Sequence, residues 1–105
     1  MIYTTTETIP GREIETVLGI VNGNIVQSKH VGRDIMAGLK GIVGGELKGY
    51  TEMLTEAREI AIERLVQDAA KLNADAVIGI RFTTSAITDG ASELMVFGTA
   101  VKLKA

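Results

Sequence analysis

The chain predicts an α+β domain, one antiparallel sheet packed against one long helix, that works as an oligomer. Two patterns carry the fold class. From Tyr50 to Leu72 there is neither Gly nor Pro, and apolar residues recur at spacings of three and four, the period of a helix face. On either side of that segment, apolar and polar residues alternate with the period of two that marks a half-buried strand. A third observation predicts assembly: the helix and the last strand are apolar on more than one face, so a second surface must cover them.

The first strand occupies residues 12–28, after a turn at Pro10-Gly11. Ile14, Thr16, Leu18 and Ile20 share one face, with Glu13, Glu15, Val17 and Val21 on the other. Asn22-Gly23 is either a two-residue hairpin turn leading into Ile25-Val26-Gln27 or a bulge in one long strand. A glycine-rich stretch comes next, from His30 through Gly44 and Gly45 to Tyr50. So many glycines among apolar residues predict close packing of backbone.

The helix spans Tyr50–Leu72, about six turns. Leu54, Ala57, Ala61, Leu65, Ala69 and Leu72 form its main stripe, and Asn73, which tolerates the left-handed conformation, is its stop. Met53, Ile60, Ile62, Val66 and Ala70 fall outside that stripe and widen the apolar arc. Burying one Leu or Ile side chain is worth roughly 1.5–3 kcal/mol, so another subunit is the simplest cover. A strand then begins at Ala76, with Ala76, Ile78, Ile80 and Phe82 on its buried face. A turn sits at Asp89-Gly90, and the last strand, Leu94–Leu103, is central or at a subunit contact because both its faces are apolar.

Composition sets the function classes. At 105 residues the chain forms a single domain, 1–105. Apolar residues make up 46 % but aromatic residues only 4 %, so aliphatic side chains fill the core. Eleven basic side chains face thirteen acidic ones, a net charge of −2 spread along the chain, which leaves no electrostatic footprint for nucleic acid. No cysteine is present, which excludes disulfides, thiolate metal sites and cysteine nucleophiles. Met1-Ile2-Tyr3 opens directly into a threonine run, and no apolar span of about 20 residues occurs, so the expected location is the cytoplasm, with no membrane partner.

Candidate chemistry is sparse. His30, the one histidine, neighbours Arg33 and Asp34 but has no assignable orienting partner and no further ligand at fixed spacing, so it reads as structural before functional. Glu52, Glu56, Glu59 and Glu63 form a carboxylate stripe that could hold a hard cation. Arg58 and Arg64 among them fit a solvated, charge-laced helix face better. Gly44-Gly45 before Glu46 lacks the lysine and hydroxyl residue of a phosphate loop and reads as tight turning or close subunit approach. Arg33-Asp34 and Arg81 are expected to form hydrogen-bonded pairs across a subunit contact. No cofactor motif is evident; a metal ion is the one cofactor the pattern allows.

Gly32-Arg33-Asp34-Ile35, Ile42-Val43-Gly44-Gly45-Glu46-Leu47, Tyr50-Thr51-Glu52 with Ala57-Arg58, and Ala76-Val77-Ile78-Gly79 with Arg81-Phe82 resemble the YbjQ-like family, which carries a heavy-metal-binding label. The likeness runs over almost the whole chain. It implies an α+β subunit assembled into an oligomeric ring, with a homopentamer as the expected form. If the metal label holds, symmetry would supply one ligand per subunit, from His30, Asp34 or Glu46. Arg33, Gly44, Gly45, Tyr50, Met53, Ile60 and Arg81 are the interface or structural candidates. The leading expectation is a non-enzymatic ring that binds a small ligand, ion or protein partner. Metal binding is one alternative, and an enzyme with a site shared between subunits through Arg33, Asp34, Glu46 and Tyr50 is the other.

Overall fold

The structure, a computed structural model, describes residues 1–28, 48–88 and 90–105. His30, Arg33, Asp34, Gly44, Gly45 and Glu46 lie outside the described residues, as does Asp89 of the expected turn.

The uninterrupted segment after the glycine-rich stretch forms α1, Lys48–Ala70. Ala57, Ala61, Leu65 and Ala69, four residues apart, are all buried, a single ridge of mostly small side chains that lets the helix lie close to the sheet. The helix stops at the expected residue. Asn73 takes a φ of 57°, and the amides of Asn73 and Ala74 return to the carbonyls of Ala70 and Ala69 at 3.0 and 3.2 Å. These two bonds close a Schellman motif on the last orphan carbonyls. Leu72, expected on the buried stripe, falls in this terminal turn and is exposed, as is Leu54. The four-residue row runs back from Ala57 to Met53, which is half-buried and takes the place expected for Leu54.

The strands are β1, Ile2–Tyr3, β2, Ile14–Ser28, β3, Ala76–Thr88, and β4, Ala91–Leu103, in the spatial order β1-β3-β4-β2. The sheet is mixed, not wholly antiparallel as expected. β2 and β3 each run antiparallel to β4, while β1 adds in parallel to β3 through Ile2 opposite Ala76 and Tyr3 opposite Val77. Two strand residues are too few to show an alternation. What holds them is tertiary: Thr4 donates to the Val77 carbonyl at 3.0 Å, and Ile80 donates back to Thr4 at 3.0 Å.

β4 is central, as its two apolar faces predict. On one face Val96 and Ala100 join Val21, Val77 and Ile80 beneath Ala61, Leu65 and Ala69 of α1. On the other, Val101 and Leu103 pack with Ala76, and Ile9, Ile14 and Ile78 close over them. Gly98 permits this crossing: a Cβ there would meet Ile80 Cγ2 at 2.8 Å and Val77 Cγ1 at 2.9 Å.

Asn22-Gly23 is neither a hairpin turn nor a bulge. β2 is one continuous strand in which Asn22 pairs with Phe97 and Gly23 with Val96 in regular register. The irregularities come earlier, between Ile14 and Thr16 and between Val17 and Gly19. Each inserts an extra residue and reverses the inward and outward sense of the residues beyond it. Val21 therefore turns in and is buried, whereas Ile20, expected beside Leu18 on one face, is 80 % exposed.

Candidate functional site

Gly23 sets how α1 meets the sheet. A Cβ at this position would overlap the Ala61 carbonyl oxygen and the Leu65 amide nitrogen, so only hydrogen lets the helix backbone come down here. At that depth the next turns of α1 reach β2 itself. Asp68 Oδ2 accepts the Asn22 amide at 3.0 Å, and Arg64 Nη1 donates to the Asn24 carbonyl at 2.6 Å. A helical i, i+4 pair thus takes up one donor and one acceptor in the middle of an edge strand.

Among the described residues two clefts flank α1. One, of about 360 Å³, is lined by Ile25, Gln27, Met53, Glu56 and Ile60, so Met53 and Ile60 stand half-buried against the end of β2. The other, also about 360 Å³, lies between Tyr3 and the helix residues Glu59, Ile62, Glu63 and Val66. The carboxylates expected to form one stripe therefore divide: Glu56 borders the first cleft, and Glu59 and Glu63 the second. Arg58 and Arg64 do not simply lace that face. Arg58 donates to Thr55 Oγ1 at 3.3 Å, while Arg64 is committed to β2. Among the described residues no group of three or more His, Cys, Asp or Glu is arranged to hold a metal ion.

Of the other predicted residues, Tyr50 is half-buried in the first turn of α1. Arg81, expected to pair across a subunit contact, bonds inside its own chain: Nη1 donates to the carbonyls of Thr5 at 2.9 Å and Ile80 at 2.7 Å. It ties the threonine run to the sheet. Asp75, which no motif marks in the sequence, is the carboxylate among the described residues with a displaced acidity. Its Oδ2 accepts the Leu103 amide at 2.8 Å, and Lys102 stands 3.4 Å from Oδ1. Chiefly through the Leu103 bond, its pKa lies below the usual carboxylate value. The aspartate joins the turn after α1 to the end of β4, a structural duty.

The sheet face away from α1 carries the remaining feature. Val17 is 64 %, Val26 54 % and Phe97 36 % exposed, and they share that face with Ile20. No helix among the described residues is long and apolar enough to cross a membrane.

Comparison with known proteins decides the family. The YbjQ family model, described as "Putative heavy-metal-binding", matches residues 1–104. The chain belongs to the YbjQ family. Its relatives include a UPF0145 protein of Vibrio campbellii, 74 % identical over 103 residues, or 98 % of this chain and 99 % of the relative. A UPF0145 protein of Thermotoga maritima is 60 % identical over 104 residues, covering 99 % of this chain and 98 % of the relative. A crystal structure of a protein of unknown function from the DUF74 family of Pediococcus pentosaceus has the same fold. It superposes with a TM-score of 0.69 over 99 % of this chain and 98 % of that one, at 18 % identity. The α+β architecture of the YbjQ chain is thus shared at sequence distances where side chains have diverged.

Proposed function

We propose that this YbjQ-family chain is a non-enzymatic, self-assembling module of the cytoplasm that forms a ring and binds a small ligand, ion or protein partner at its axis or between subunits. The exposed apolar sheet face carries this reading. Ile20, at 80 % exposure, stands with Val17, Val26 and Phe97 on one side of a small subunit, and exposed apolar side chains gathered on one face mark association surfaces. A homopentamer is the form that the family resemblance implies. With a net charge of −2 and no basic patch in the sequence, nucleic acid is not the proposed partner. Sedimentation velocity at micromolar concentration tests the assembly: a species several times the 11.2 kDa subunit mass is expected, and a well-folded monomer overturns it.

The family description supports a second reading, metal binding by ligands that symmetry gathers one per subunit from His30, Asp34 or Glu46. Calorimetric titration with Zn²⁺, Cu²⁺, Ni²⁺ and Mg²⁺ tests it, with His30→Ala and Glu46→Gln as controls. Heat that either substitution abolishes supports the reading, and no heat with any of the four ions ends it.

A further inference from the structure

We infer that the subunits join edge to edge, the outer edge of β3 from Phe82 to Thr88 in one copy pairing in parallel with the far end of β2, Ile25–Ser28, in the next. This rests on the ring reading and specifies its contact.

The first observation is an edge without the usual protection. β1 covers β3 only at Ala76 and Val77, and the Thr4–Thr6 segment extends that cover to Gly79 and Ile80. Beyond Ile80, no strand among the described residues lies outside β3. Every residue from Arg81 to Thr88 is exposed, Phe82 and Ile87 by 42 % and 54 %. From Phe82 to Thr88 the run Phe-Thr-Thr-Ser-Ala-Ile-Thr contains no charge, no Pro and no Gly. Isolated edges are normally blunted by lysine, proline, inward-pointing charge or a bulge; from Phe82 to Ala86 this edge has none of them, the one register shift lying at Ile87. This one is rich in β-formers and suited to accept another strand.

The second observation is a matching edge on the opposite side of the same sheet. β2 is outermost there, and after Glu15 it carries no charged residue as far as Ser28. Among the described residues α1 hydrogen-bonds to it at its centre, through Asp68 on Asn22 and Arg64 on Asn24, and farther along stands off it across the cleft lined by Met53, Glu56 and Ile60. The stretch left over, Ile25–Ser28, lies level with the open part of β3. Gln27 is opposite Ser92, which is opposite Ala86; Ser28 is opposite Ala91, which is opposite Thr88.

Among the described residues each copy thus offers two uncovered, uncharged edges at one height of one sheet, and a second copy satisfies both. A twofold contact would pair one edge with itself and leave the other bare. Head-to-tail pairing uses both, and closes a ring when the rotation from one copy to the next divides a full turn. Because β2 and β3 both run antiparallel to β4, they run parallel to each other. Rotation about an axis along the strands keeps that direction, so the new ladder is parallel.

Sedimentation of the full chain tests the contact with charges placed on exposed positions of the sheet face away from α1. Ser85→Lys with Thr88→Lys marks one edge, and Val26→Glu with Ser28→Glu, at the same two levels, the other. Each pair is expected to raise the concentration at which assembly is half complete at least tenfold, and the four changes combined to restore it, since lysine then meets glutamate at every contact. A wild-type monomer overturns both the ring reading and this contact. Wild-type assembly that neither pair disturbs overturns the contact and leaves the ring standing. Disruption by one pair alone, or by both without rescue, also overturns it. Hydrogen exchange on the unmodified protein reads the same contact without variants: the amides of Thr83–Thr88 are expected to slow on going from dilute to concentrated protein, and rates independent of concentration overturn the proposal.

Discussion

Gly23 and Ala61 meet backbone to backbone: the bare Cα of the strand residue lies where any side chain would strike the helical carbonyl. Gly23→Ala therefore drives a methyl group into a helix that cannot rotate away, as a flexible side chain could. A loss of about 3 kcal/mol is expected, the upper end for overpacking. Urea denaturation of variant and wild type at equal subunit concentration measures it.

Leu65 is the largest fully buried side chain of the described fold and sits in the middle of the α1 ridge. Its neighbours Ala61 and Ala69 are too small to fill the space it would leave. Leu65→Ala is expected to cost about 3–5 kcal/mol, in the upper part of the range for a large-to-small core change. The same denaturation series checks it.

Asp68 holds the Asn22 amide from the helix side. Asp68→Ala removes that acceptor while leaving the ridge intact, with an expected loss of about 1.5–3 kcal/mol, typical of a hydrogen bond to a charged group. Amide exchange at Asn22 is expected to accelerate well beyond that at Val21. Equal changes at both residues would show general loosening instead.

Asp75 makes stability depend on acid. Its pKa in the fold lies below the ordinary aspartate value of 3.8, with the Leu103 amide as the main cause. Its contribution is complete above the unfolded-state pKa and is lost as pH falls through the lower folded value. Asp75→Asn is expected to flatten that part of the acid-unfolding curve. Carboxyl carbon chemical shifts followed down the pH scale report the displaced titration directly.

Ile20 points away from α1 and is largely exposed within the subunit. Ile20→Lys is expected to leave unfolding of the isolated subunit within about 0.5 kcal/mol, as for surface changes generally. Assembly by sedimentation is expected to weaken at least tenfold. Unchanged assembly would show that the face carrying Ile20 lies outside the contact.

Periodicity located α1 within about two residues at each end, because a helix face is written in neighbours three and four apart. The long strands were visible for the same reason, and Asn73 was identified as the helix stop by its own conformational tolerance. Leu54 and Met53 show where that signal weakens: both fit a helical spacing, and only the packed row from Ala57 to Ala69 selects Met53. Less of the candidate site was readable. Arg64 looked like one charge on a solvated face, since nothing local reveals that Asn24 lies within its reach. Nor does anything near Arg81 in the chain reveal that the Thr5 carbonyl lies within its reach.

The chain on its own determined the helix, its stop, the apolar character of both faces of β4 and the α+β class, since each depends on short-range pattern and burial preference. Tertiary structure alone decided that β1 joins in parallel, that the irregularities before Gly19 turn Ile20 outward and Val21 inward, and that Gly23 is a contact with a helix rather than a turn. These outcomes depend on hydrogen bonds and clearances between segments tens of residues apart, and separation along the chain carries no imprint of distance in space.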